Sequence, residues 1–152
     1  MNKLYFGHNL DWLPKLDAGS VDMVYLDPPF NSQATYNILY RSPSGADGGA
    51  QYQAFEDSWS WGPAADMALA IVRDSQSPAF GILNALNNFM QKSDLMAYLT
   101  MMTARLLQLK RVLKPSGSLF LHCDASASHY LKIILDQVFG EGTFQNEIVW
   151  RR

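Results

Sequence analysis

Asp27, Pro28, Pro29 and Phe30 follow directly on the apolar run "VDMVYL" at 21–26, and their types point to one kind of chemistry. Proline fixes φ and carries no N–H, so the pair presents carbonyls rigidly and offers no donors. An ionised carboxylate accepts hydrogen bonds and cannot donate them. A carboxylate beside a fixed carbonyl therefore suits a partner with two N–H donors, an exocyclic amino group, and the Phe30 ring offers a flat face for the aromatic system that carries it. Such an amine is a poor nucleophile, because its lone pair is delocalised into the ring. Two acceptors on its hydrogens favour a pyramidal nitrogen able to attack an electrophilic methyl, and fixed dipoles of this kind act where charge develops. On the four residues alone a strand-ending turn explains the pattern equally well, since Asp-Pro pairs are frequent in turns.

The surrounding elements decide where this tetrapeptide stands. The run at 21–26 is rich in β-branched and aromatic residues and almost continuously apolar, the pattern of a buried parallel strand. "KLYF" at 3–6 reads as a short strand and "NLDWLPKL" at 9–16 as helical with Asn9 as N-cap, so that strand, helix and strand make a βαβ unit with right-handed crossover. Segments opening at Pro63 and Pro78 predict helices with proline near the start. Leu95, Leu99, Met102, Leu106, Leu109 and Leu113 form a core-facing stripe over 94–113. "KPSG" is expected to end that helix, "SLFLHCD" at 118–124 to be another buried strand ending in an acid, and "SASHYLKIILDQVFG" to be a helix closed by Gly140. "NEIVW" at 146–150 reads as a last strand. The alternation makes one α/β domain over 1–152 with an open, mainly parallel sheet. In such folds ligands bind outside the carboxyl ends of strands, where Asp27 lies.

The segment from Asn31 to Gly62, with "SPSGADGGAQ" in it, shows no clear periodicity over more than 25 residues and reads as a flexible active-site loop. Trp59 and Trp61 are expected to anchor its end. The chain of 152 residues is 48% hydrophobic and can bury a core. It has no apolar stretch of about 18 residues and no secretory signal, so no membrane association is expected and the default compartment is cytoplasmic. The single cysteine, Cys123, suits a reducing compartment and a structural role, and no metal site is expected. The net charge of -2 argues neither for nor decisively against nucleic acid, because seven of the twelve basic residues fall between Arg105 and Arg152. "LKRVLK" reads as a solvated helix end. His8 reads as a solvent-facing turn residue, His122 and His129 as structural, and Asp124 as the cap of the helix that follows it.

Two blocks carry a resemblance. "LYFGHNLDWLPKLDAGSVDMVYLDPPFNS" and "GSLFLHCDASASHYLKIILDQVFGEGTFQNEIVWRR" resemble site-specific DNA methyltransferases of the amino-methylating class, adenine-N6 or cytosine-N4, in the order where the D-P-P-F/Y motif precedes the cofactor motif. The resemblance implies a Rossmann-like methyltransferase fold, S-adenosylmethionine as cofactor, and double-stranded DNA as partner, with the target base flipped out of the duplex. The acid opening the motif implies adenine N6 as target. Asp27 would accept from the amino group and lie near the methionine part of the cofactor. Pro28 would supply the second acceptor, Pro29 would hold the turn, Phe30 would stack on the base, and Asn31 would line the same pocket. Where the family commonly has Gly-Asp-Asn, this chain has Gly7, His8 and Asn9, which places Asn9 as a candidate cofactor contact.

The family's glycine-rich cofactor motif and its target-recognition region are not found in the 152 residues. The sheet is accordingly expected to be incomplete, and the chain to be the N-terminal catalytic part of a larger enzyme, inactive without a C-terminal half or a partner subunit. Two alternatives stand beside adenine methylation: another amino acceptor, such as cytosine N4, and a non-catalytic fragment acting as an assembly module.

Overall fold

A computed structural model describes residues 2–29, 34–38, 52–57 and 59–149. Its centre is a 19-residue helix, Asp94–Val112. Ser93 caps it by accepting from the Met96 N–H at 3.2 Å, the use to which serine is suited because its side chain replaces a missing intrahelical acceptor. The apolar stripe lands as its spacing predicts: Leu99, Met102, Leu106 and Leu109 are all buried. Burial extends beyond the stripe to Met96, Tyr98 and Thr103, because helices pack around this one on several sides. They are Pro63–Asp74, Ala79–Met90 and Ala125–Phe139. In chain order, with the short helix Asn9–Trp12 as α1, they are α2, α3 and α5, and the central helix is α4. Each fully buried leucine at this centre contributes about 1.5–3 kcal/mol.

Two parallel strands lie beside the bundle, Val21–Leu26 and Leu113–Leu121. Between them, in chain order, come two further strands, Ala34–Ile38 and Tyr52–Asp57, paired antiparallel with each other. The four are β1, β4, β2 and β3 respectively. The chain is thus a mixed α/β structure with a small parallel sheet, and β2 and β3 show that part of the 31–62 segment is regular where sequence periodicity gives no sign of it.

β4 starts at Leu113 with no gap after α4, so "KPSG" does not separate helix from strand. The register nevertheless jumps there, from Val21 opposite Leu113 to Met23 opposite Ser118, which sets residues 114–117 outside the regular ladder. Gly117 makes this bulge feasible: a Cβ on it would lie 2.7 Å from a Leu113 methyl and 3.0 Å from the Asp22 carbonyl oxygen.

One face of β1 is covered and one is open. Val24 packs with Leu109 and Val112 of α4, with Leu26 and Leu119 alongside. On the opposite face Met23 is 61% exposed, Tyr25 66% and Phe120 47%, which corrects the expectation of a strand buried on both sides. The edge of β1 away from β4 has no strand partner among the described residues. "KLYF" is not a strand: Leu4 and Phe6 are almost fully exposed. "NEIVW" forms none over its described part either, with Ile148 and Val149 standing in solvent. Both are β-prone, but a strand needs a neighbour for its N–H and C=O groups, and neither has one among the described residues. The βαβ unit expected at the N-terminus is replaced by the parallel pair of β1 and β4.

Candidate active site

The carboxyl ends of β1 and β4 lie side by side, and the residues just past them form the site. The ladder runs through Leu26 opposite Leu121, and the His122 N–H donates to the Leu26 carbonyl at 2.9 Å. That rung places His122 beside Asp27. The His122 Nδ1 stands 3.0 Å from Asp27 Oδ1. Against an ionised carboxylate, which only accepts, this contact requires the proton on Nδ1. The side chains are 58% and 61% exposed, and an exposed pair of this kind contributes about 0–1 kcal/mol. Holding the fold together is therefore not what the contact is good for. It restrains a carboxylate that faces solvent at a strand end.

Pro28 and Pro29 follow, both partly buried. The Pro29 carbonyl accepts from the Trp59 indole N–H at 3.4 Å. Trp59 packs on Tyr98 of α4, ring centroids 5.6 Å apart, so the turn after β1 is tied to the central helix through one indole. Trp61 donates to Asp66 at 2.9 Å. Both tryptophans thus anchor the chain entering α2, as their sequence context suggests. Phe30 and Asn31 lie outside the described residues.

Asn9 opens α1, with His8 and not Asn9 at the N-cap position and no side-chain cap bond. Gly7 adopts φ +117°, a conformation that glycine reaches without strain, and a Cβ there would stand 3.6 Å from the Trp12 ring nitrogen. The turn after it is held by His8, whose Nε2 lies 2.9 Å from an Arg105 guanidinium nitrogen. Arginine has donors only, so His8 accepts at Nε2. The same guanidinium donates to the Met101 carbonyl at 2.7 Å and lies over the Trp59 ring. Burial pushes the Arg105 pKa down from its ordinary value. His8 is exposed as expected, but it is bonded to α4. Asn9 lines an open groove of about 360 Å³ along the free edge of β1, together with Leu13, Met23, Tyr25 and Leu109. The groove reaches Leu26, the residue before Asp27.

Asp124 caps α5, accepting from the Ala127 N–H at 3.1 Å and from the Ser126 hydroxyl at 2.5 Å. The Cys123 thiol pKa is raised, first by burial and then by Asp124 and Glu147. A thiol held protonated is a poor nucleophile, in line with a structural role. The basic residues of "LKRVLK" are all bonded: Lys110 donates to the Val138 carbonyl, Arg111 to the Leu13 carbonyl and Lys114 to the exposed Asp22, while Lys110 itself stays exposed, as a solvated helix end implies. Among the described residues no group of His, Cys, Asp and Glu side chains could hold a metal ion, and no helix is long and apolar enough to cross a membrane.

His122 is the site residue that sequence reasoning leaves out. Its signal was its place in "SLFLHCD", just inside the acid that ends the run, but only the register of β4 against β1 shows which carboxylate it meets.

Residues 21–152 match the family model of the N6/N4 type described as DNA methylase. Over 158 residues the chain is 32% identical to the Type III restriction-modification enzyme StyLTI Mod subunit of Salmonella typhimurium, the alignment covering 99% of this chain and 20% of that protein. It is 28% identical over 148 residues to the EcoPI Mod subunit of Escherichia phage P1, covering 94% of this chain and again 20% of the relative. The chain therefore spans about a fifth of the length of these two relatives.

Proposed function

From the premise that this chain belongs to the N6/N4 DNA methylase family, whose model takes in residues 21–152, we propose that it carries the amino-gripping part of an adenine-N6 DNA methyltransferase. The observation that carries the reading is the solvent-facing Asp27 carboxylate at the carboxyl end of β1, next to two prolines and tethered at one oxygen by His122. Asp27 accepts one N–H of the adenine amino group and the Pro28 carbonyl accepts the other. Flipping the base out of the duplex costs a few kcal/mol, and stacking on Phe30 returns about 1–3 kcal/mol. Pro29 keeps the turn rigid, and Asn31 lines the base pocket. S-adenosylmethionine, when bound, supplies the sulfonium methyl group. Asp27 would take the proton that the amine sheds when the sulfonium S–C bond breaks in favour of the new N–C bond.

The described residues fit one end of that cofactor. Asp27 offers an anion to its cationic methionine part, and Asn9 stands on the wall of the adjacent groove. Among the described residues no glycine-rich turn follows a strand, so none of them lets backbone approach the adenosine closely. The cradle comes from further polypeptide of the same enzyme, with a strand that pairs with the free edge of β1 and an element that packs over the open face at Met23 and Tyr25. The fold completed in this way is the Rossmann-like methyltransferase sheet. The Mod subunits that this chain resembles belong to restriction-modification enzymes, and we place it in such a modification subunit, acting on duplex DNA in the cytoplasm.

Digesting DNA from cells that express the intact gene and looking by mass spectrometry for N6-methyladenine tests the reading. N4-methylcytosine in its place would move the target to the other base of the family, and neither product in an expressing strain would sink both. The open edge and face of β1 favour one further outcome, a chain that works as an assembly module. In that case Asp27→Ala leaves association intact and changes no methylation.

A further inference from the structure

We infer that His122 is a positioning residue for Asp27, holding one carboxylate oxygen so that the other is presented to the reacting amine. The inference rests on the adenine-methyltransferase reading and adds a residue to it. Asp27 and His122 are the next pair after Leu26 and Leu121 in the parallel register, and the His122 backbone is pinned by its 2.9 Å bond to the Leu26 carbonyl. The ring therefore starts from a fixed point of the sheet. The carboxylate does not: Asp27 lies past the end of β1, is largely exposed, and without a tether rotates about its last torsion. The Nδ1 contact to Oδ1 at 3.0 Å restrains that rotation. It leaves Oδ2 as the acceptor for the substrate.

Asp124, the acid that follows on the same segment, has both oxygens engaged elsewhere. It uses Oδ1 to cap α5 and Oδ2 to accept from Ser126. Positioning matters because the amine reacts only when its lone pair points at the methyl, and misplacement of a catalytic group by about 1 Å costs about 100-fold in rate. No covalent step is assigned to His122, and the proton shed by the amine is taken at Asp27.

Two measurements test this. In the 152-residue chain, long-range nitrogen-proton NMR of the imidazoles should show His122 with its proton on Nδ1, and Asp27→Ala should shift it toward the Nε2–H form. A His122 carrying its proton on Nε2 in the unmutated chain overturns the inference whatever the activity. In the intact methyltransferase, His122→Ala should lower kcat by about 10-fold to 100-fold with the KM values for DNA and S-adenosylmethionine within twofold of the parent. His122→Asn, whose side-chain amide can donate from nearly the same place, should recover most of the loss. Unchanged kcat in a folded His122→Ala enzyme, or a loss confined to KM, overturns the inference and leaves adenine methylation standing. Absence of methyl transfer by the unmutated intact enzyme overturns the functional reading and the catalytic part of this inference together, while the tautomer measurement still decides the contact.

Discussion

Trp59 donates its indole N–H to the carbonyl oxygen of Pro29, thirty residues earlier, at 3.4 Å. The bond is long, near the limit of a hydrogen bond, and contributes less than about 1 kcal/mol. Its effect is geometric, since it fastens the two-proline turn to a ring that is itself packed on Tyr98 of α4. Trp59→Phe keeps an aromatic ring but removes the donor and part of the indole that packs on Tyr98 and under Arg105, so stability measured by urea denaturation should fall by about 1–2 kcal/mol. Methyl transfer by the intact enzyme should fall more than that change in stability implies. Trp59→Ala removes the rest of the packing and should cost about 2–3 kcal/mol, below the range for a fully buried tryptophan because the ring is half-exposed.

The two acids past the ends of the parallel strands should separate cleanly. Asp124 accepts from the Ala127 N–H at 3.1 Å, so Asp124→Ala should cost about 1 kcal/mol of stability through the lost cap. Asp27 is exposed and bonded to an exposed histidine, so Asp27→Ala should move the unfolding midpoint little and abolish methylation. Equal losses of stability in the two variants would mean that Asp27 is a structural acid.

Gly117 sits where β4 rejoins its ladder with β1. An alanine methyl there meets Leu113 carbon atoms at 2.7 and 2.9 Å and the Asp22 carbonyl oxygen at 3.0 Å. The leucine can turn away, but the carbonyl belongs to the neighbouring strand. Gly117→Ala should destabilise by about 1–3 kcal/mol, the usual cost of overpacking, readable in thermal or urea unfolding.

Cys123 should alkylate slowly at neutral pH. Its thiol pKa is raised by burial and by the Asp124 and Glu147 carboxylates, so at a given pH the folded chain holds less thiolate than a free cysteine. The sign for folding follows: a thiol with a raised folded-state pKa loses stability as pH rises through its unfolded value, because the unfolded chain ionises first. Iodoacetamide labelling should quicken in denaturant at fixed pH. Glu147→Gln removes one carboxylate without touching the α5 cap and should speed labelling in the folded state. A native rate equal to that of the denatured chain would contradict the burial.

Local patterns made the helices legible. Asp124 and Gly140 act within a few residues of where they stand, and the leucine and methionine stripe of α4 is a matter of spacing along one helix. The same locality made Asp27 recognisable, as an acid just after an apolar run. Strands are different, because their hydrogen bonds go to another segment. "KLYF" and "NEIVW" have the composition of strands and, among the described residues, no strand beside them, whereas β2 and β3 pair within a stretch that shows no period.

The sequence by itself determined a mixed α/β chain, the central helix with its buried stripe, and an acid with two prolines at the end of an apolar run, whereas the strict alternation of strand and helix that it suggests gives way to three strands followed by three helices. Tertiary structure alone decided which face and edge of β1 stay open, that Trp59 holds the Pro29 carbonyl, and that His122 meets Asp27 from 95 residues away. The reason is physical: a side chain's local preferences are written in its neighbours along the chain, while the partner it touches depends on the register of one strand against another.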